Sequence, residues 1–200
     1  MARRTFFSFH YDLDVHRAWN VRNSWVTQPD RESAGFFDSS VFESKQRTSD
    51  DALKRFLSEG LAGTSVTVAL FAAQTAWRRW VRFELLKSFV EGKGLLSVAI
   101  HTIKNLAQPP QAAALGYDPL TVLGFEVKDG IVHLKEKNAD GTWRWAADVS
   151  NIAANQLPFG LRDGDNKTFS ELFKTYDWAA HDGRNNIGDW IEAASRAAGR

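Results

Sequence analysis

TSVTVALF, residues 64–71, is the stretch whose reading decides the fold. Nearly every position is apolar or β-branched, and no apolar–polar alternation runs through it. A strand with one wet face alternates, whereas a continuous apolar run suits a strand of a parallel sheet covered by helices on both faces. The flanks agree with this. Upstream, Thr48 to Asp51 offer capping residues for a helix whose apolar face is Leu53, Phe56, Leu57 and Leu61, with Gly60 and Gly63 as stop signals. Downstream, residues 76–91 read as a further helix closed by Gly92 and Gly94, and residues 95–103 as another buried strand.

Further out, residues 5–9 (TFFSF) form a short β-branched and aromatic run, read as a buried strand. Asp12 and Asp14 offer N-caps for a helix carrying Val15, Ala18, Trp19, Trp25 and Val26 at helical spacing. Residues 29–35 read as a loop, residues 35–38 (GFFD) as a second short strand, and Ser39 to Asp51 as a long polar loop. Strand and helix thus alternate through the first hundred residues, which predicts a doubly wound parallel α/β sheet. The second half differs. Residues 120–127 read as a strand, and Asp129-Gly130 and Asp140-Gly141 mark hairpin turns of a small antiparallel meander. Trp178 and Trp190 in the last fifty residues are assigned to core packing. The chain reads as a single domain, residues 1–200, with a core over 1–105 and an elaborated half over 106–200.

Composition narrows the chemistry. Without cysteine there is no disulfide framework, thiol nucleophile or Cys-based metal site. Twenty-five basic against 24 acidic residues give a net charge of +1, which argues against a dedicated nucleic-acid surface. No stretch approaches membrane-spanning length, and the opening MARRTFFSFHYD is too short and polar for a signal peptide, so the expected location is the cytoplasm. The phosphate-binding GxGxxG and GxxxxGK[ST] loops are absent, as is a GxSxG elbow. His10, His16, His101, His133 and His181 show no metal-ligand spacing.

One helix carries an anomaly. Trp77, Trp80, Val81, Glu84 and Leu85 fall at i, i+3, i+4, i+7 and i+8, so Glu84 lies in an apolar stripe one turn after Trp80. Two readings follow. Glu84 is a partly desolvated carboxylate beside an aromatic ring, a group suited to polar chemistry; or it pairs with Lys87 at i+3 on a solvated face. Spacing alone favours the solvated pair. Phe9, His10 and Tyr11 leave the C-terminal end of the first strand, where open parallel sheets bind ligands, and Asp38 and Ser39 would follow the second strand on the same rim. Taken singly, these are ordinary core and turn residues.

In combination the segments resemble a TIR domain. FFSFHYD is similar to the TIR opening strand, VTVALFAAQTAW to its central strand and following loop, and WVRFEL, with Trp80 and Glu84, to the Trp-x-x-x-Glu signature on the next helix. The likeness covers about residues 4–105 and is nearest to the TIR-like proteins of Thoeris anti-phage systems. It implies a flavodoxin-like, TIR-like fold with the meander as elaboration, and an enzyme that cleaves the nicotinamide–ribose bond of NAD+ and forms a cyclic ADP-ribose-type signal. It also implies Glu84 as the catalytic residue and Trp80 as an aromatic wall. Phe9, His10, Tyr11, Asp38 and Ser39 become substrate contacts, and His10 departs from the basic residue many TIR enzymes carry there. NAD+ is then substrate, with no separate cofactor. The implied partners are further copies of the chain, through the Ser39 to Asp51 loop, a phage-derived trigger and a nucleotide-sensing effector; no nucleic acid and no membrane are implied. Two other classes share the fold: a TIR adaptor that only self-associates, and a nucleotide-binding receiver without turnover.

Overall fold

The computed structural model describes residues 3–26, 31–34, 48–104 and 112–200. The decisive run forms strand β3, Val66–Phe71, with every residue buried. It lies between β1 (Arg3–Phe9) and β4 (Gly94–Ala99), parallel to both. Beyond β1 lies β2, Arg31–Ala34, in register from Arg3↔Arg31 to Phe6↔Ala34. This corrects the loop expected over 29–35: RESA has little strand propensity, but pairing to β1 sets its conformation, as sheet context commonly overrides propensity. The strand expected over 35–38 lies outside the described residues.

Helix α1, Tyr11–Val26, follows β1 directly. Asp12 and Asp14 fall inside its first turn and are not its caps; the amide of Asp14 already bonds the His10 carbonyl at 2.8 Å. Helix α2, Asp50–Leu61, is capped by the Ser49 hydroxyl, which accepts from the Ala52 amide at 3.1 Å, and buries Leu53, Leu57 and Leu61. The helix expected over 76–91 is in two pieces: a 3-10 turn, Thr75–Trp77, then helix α3, Arg79–Val90. β4 ends at Ala99, because residues 100–103 turn, with the Ile103 amide bonding the Ile100 carbonyl.

The meander occupies the middle of the second half. β5 (Leu123–Lys128) and β6 (Ile131–Lys137) join through Asp129-Gly130, whose φ values of 52° and 73° suit the two-residue hairpin that pairs Lys128 with Ile131. β7 (Trp143–Trp145) and β8 (Ile152–Ala153) pair with β6, and β9 (Asn166–Thr168) pairs with β5. The chain then returns to the parallel sheet as β10, Lys174–Asp177, beside β4. The parallel order is β10-β4-β3-β1-β2, the flavodoxin-like 2-1-3-4-5 with its fifth strand supplied after the antiparallel sheet. Helix α4, Gly183–Ala197, completes the layer: its Ile187, Trp190 and Ile191 pack with α1 residues Ala18, Val21 and Trp25 under one face of the sheet. Trp190 stacks on Tyr176 of β10 at 4.1 Å.

Helices α2 and α3 cover the other face. Almost the whole circumference of α3 is buried, from Val81 to Leu86 and again at Ser88 and Phe89, because the antiparallel sheet packs on the side the parallel sheet leaves free. Phe89 anchors this second interface, stacked with Phe125, Phe159 and Phe169 at centroid distances of 5.5, 5.1 and 4.6 Å. Among the described residues, no helix is long and apolar enough to cross a membrane.

Candidate active site

Strand order reverses between β1 and β3, since β2 lies on one side of β1 and β3 on the other. The crevice beyond the carboxyl ends of these two strands is the usual ligand site of an open α/β sheet. Its described rim is His10 and Tyr11 after β1 and the Ala72–Gln74 turn after β3. A buried network fixes this rim. The Thr75 hydroxyl donates to Asp14 Oδ2 at 3.1 Å and accepts from the Ala72 amide at 3.0 Å. Arg17 holds the other Asp14 oxygen at 3.2 Å and the Ile103 carbonyl at 2.8 Å, so the turns after β3 and β4 are tied to α1. Burial pushes the Asp14 carboxyl above the usual carboxylate range, opposed by the bonds from Thr75 and Arg17. Gly116 presses on the same rim: a Cβ there would stand 2.3 Å from the Ala72 carbonyl oxygen.

Glu84 lies beneath this rim. Side chains of β1 alternate: Phe7 and Phe9 point into the core shared with α1 and α4, and Ser8 points to the opposite face, toward α3. The Ser8 hydroxyl donates to Glu84 Oε2. Glu84 is 7% exposed, so the expected solvated pair with Lys87 does not form; Lys87 instead pairs with Glu91 at 3.2 Å. Helical spacing alone missed this because α3 is enclosed by two sheets and has no consistently wet face. Burial pushes the Glu84 pKa up to about 8, with the Ser8 bond pulling the other way. Among the described residues no cation opposes that shift, so the carboxyl stays largely protonated at neutral pH.

The remaining candidates are distributed unevenly. His10 is 4% exposed at the crevice edge, and its Nε2 has no hydrogen-bond partner among the described residues. Burial, and then the nearby Arg78 charge, lower its pKa and keep the imidazole neutral. Tyr11 is half-buried and its ring stacks against Phe9 at 5.8 Å. Phe9 itself belongs to the core on the far side of the sheet from Glu84. Trp80 packs with Phe83 and the α2 residues Leu53, Phe56 and Leu57, and the Arg79 guanidinium lies 4.7 Å over its ring. Asp38 and Ser39 lie outside the described residues, as does most of the Ser39 to Asp51 loop. Ser8 and Arg78 are absent from the sequence-based candidates. A lone serine in the apolar run FFSF, on the opposite strand face from its phenylalanine neighbours, was the available signal for Ser8.

A five-stranded parallel sheet of this order, with a buried carboxyl of the Trp-x-x-x-Glu helix under its switch point, defines a TIR-like domain. The family model for the TIR-like domain of Thoeris protein ThsB matches residues 6–105. A Bacillus cereus (strain MSX-D12) protein, bearing the provisional name cyclic ADP-D-ribose synthase ThsB1, is 40% identical over 195 residues, which is 96% of this chain and all of the relative. The chain belongs to the Thoeris ThsB TIR-like family.

Proposed function

We propose that this chain cleaves NAD+ at the nicotinamide–ribose bond and joins the ADP-ribose moiety into a cyclic signalling nucleotide for Thoeris anti-phage defence. The observation that carries the reading is Glu84: a carboxyl buried without a counter-charge among the described residues, held by Ser8, at the switch point of the sheet. The name of the Bacillus cereus relative supports the same chemistry.

Departure of nicotinamide leaves positive charge on the ribosyl C1′ and ring oxygen. A carboxylate beside it stabilises that charge, most strongly where water is excluded. Glu84, once ionised, supplies the carboxylate, and Ser8 steadies Oε2. The ribose stands at the crevice edge, where the neutral His10 offers to a hydroxyl a ring nitrogen that has no partner among the described residues. Arg78, at the head of α3, is the rim cation suited to the diphosphate. The leaving-group bond electrons go to the nicotinamide nitrogen, which departs neutral. A nucleophile within the same molecule then closes the ring at C1′ and loses its proton.

In this reading the site is completed by a neighbouring copy through the Ser39 to Asp51 loop, turnover begins on contact with a phage-derived trigger, and the product acts on a nucleotide-sensing effector in the same cytoplasm. The test is incubation of concentrated protein with NAD+, with and without extract of phage-infected cells, followed by chromatography and mass spectrometry. Release of nicotinamide with a cyclic product, abolished by Glu84→Gln, is expected. Absence of turnover under every condition transfers the reading to a self-associating adaptor.

A further inference from the structure

Helix α3 has a second charged face, turned away from Glu84. Residues 82 and 84 stand about 200° apart around a helix, so Arg82 faces the antiparallel sheet. There a cavity of about 340 Å³ is lined by Arg79, Arg82 and Arg144, the indoles of Trp77 and Trp145, and the carboxylates of Glu136 and Asp148. Its charges are unevenly matched. Arg82, 7% exposed, gives its Nε and Nη2 to the neutral carbonyls of Ala76 and Lys137 at 2.8 and 2.9 Å, and reaches Glu136 only at 3.4 Å. The other oxygen of Glu136 is taken by Arg144 at 2.7 Å. One carboxylate therefore serves two guanidiniums. Arg79 forks Asp148 at 2.8 and 2.9 Å and also binds Asp50, and Lys54 shares Asp148. Of the residues that line the cavity, three guanidiniums meet two carboxylates.

The helix end adds to this excess. The first turn of α3 holds no acidic residue, and Arg78 provides no side-chain cap. The positive end of a helix ordinarily attracts carboxylates, and here it collects arginines. Around the same space stand two indoles. Trp77 lies under the Arg82 guanidinium at 5.1 Å, and Trp145 is 60% exposed. Guanidinium forks match phosphate oxygens, and indole faces accept flat bases. The space is too small for a protein segment of any length and of the right order for a mononucleotide.

We propose that this cavity is a second ligand site, distinct from the Glu84 crevice, that takes a phosphate-bearing nucleotide. It stands whether or not Glu84 cleaves NAD+. A ligand bridging Arg79 or Arg82 to Arg144 would clamp the antiparallel sheet to the helix that carries Trp80 and Glu84, so occupancy is placed to bias the crevice.

The test is calorimetric titration of the full chain with AMP, inorganic phosphate and adenosine, in the wild-type protein and in single variants. AMP is expected to bind more tightly than either fragment, with unchanged affinity in Glu84→Gln. Arg144→Gln is expected to weaken AMP roughly tenfold or more, the scale of one charge-assisted hydrogen bond. Trp145→Ala, which removes no charge, is expected to weaken AMP and leave phosphate unchanged, so the result does not depend on the Arg144–Glu136 pair. Lys54→Gln, which touches Asp148 from outside the cavity, is expected to change AMP affinity by about twofold at most. The proposal is overturned if AMP fails to bind at ~1 mM, if it binds no better than phosphate, or if Glu84→Gln removes its binding while Arg144→Gln and Trp145→Ala do not.

Discussion

The two faces of helix α3 bury an acid and a base at the same depth, 7% exposed at both Glu84 and Arg82, yet treat them differently. Arg82 is surrounded by acceptors: two backbone carbonyls, the carboxylate of Glu136 and the face of Trp77. Its burial lowers its pKa, but Glu136 acts against that and the guanidinium remains charged. Among the described residues, Glu84 has one hydroxyl and no cation. A buried charge whose donors are satisfied by acceptors joins two layers of the fold. A buried carboxyl short of donors is a standing cost to stability, and such costs persist where a reaction uses them. Burial alone therefore does not distinguish a functional group from a structural one; the partner set does.

The sharpest way to break this comparison is Glu84→Gln. Product formation is expected to fall by roughly a hundredfold or more, as for loss of a group that stabilises transition-state charge. The same variant is expected to be more stable than the parent at alkaline pH. The sign follows from linkage. In the unfolded chain the group ionises near its ordinary 4.5, and in the native state near 8. Between those values the unfolded state releases a proton that the native state keeps, so stability falls as pH rises through the window and levels off above it. At about 1.4 kcal/mol per pH unit the full loss is on the order of 5 kcal/mol. Denaturant melts of both proteins at pH 5 and pH 8.5 check it: the curves should converge at the lower pH and separate at the higher. Equal stability at both would mean that Glu84 is ionised and matched in the folded state.

Arg82→Met is expected to do the opposite, costing about 1–3 kcal/mol at neutral pH because it leaves the Ala76 and Lys137 carbonyls without their donor at a buried interface and Glu136 with Arg144 alone. Urea unfolding measures it. A loss below about 1 kcal/mol would show that Arg82 is no better matched than Glu84.

Ser8→Ala sharpens the comparison from the other side. The Ser8 bond favours the ionised form of Glu84, so its removal should raise the carboxyl pKa further and move the rising limb of the rate–pH profile to higher pH. A variant with a reduced rate at every pH and an unmoved limb would make Ser8 merely structural.

How much of this was legible beforehand follows the same physics. The parallel sheet could be read because TSVTVALF and TFFSF are buried on both faces and need no alternation to be recognised. The hairpin at Asp129-Gly130 could be read because a two-residue turn with positive φ at both positions demands those residue types. β2 could not, since RESA is held by pairing and carries no intrinsic strand signal. Nor could the state of Glu84 be read from its helix. Its spacing fits either a solvated or a buried face, and the sheet that encloses α3 is built from residues 123–168, far along the chain. The Trp-x-x-x-Glu likeness pointed to Glu84, but its burial and the serine that holds it are properties of packing.

The smallest expected effect tests the reading that spacing alone favoured. Lys87→Gln removes the half-buried i, i+4 pair with Glu91. Pairs of this kind contribute about 0.3–0.5 kcal/mol, so stability should change by no more than that. More decisive is the pH dependence. If Lys87 compensated Glu84, its loss would raise the Glu84 pKa and shift the rate–pH profile as Ser8→Ala does. With the lysine turned to Glu91 and the carboxyl enclosed between helix and β1, the profile should stay where it is. The two variants measured side by side then separate a partner that touches Glu84 from a neighbour that only follows it in sequence.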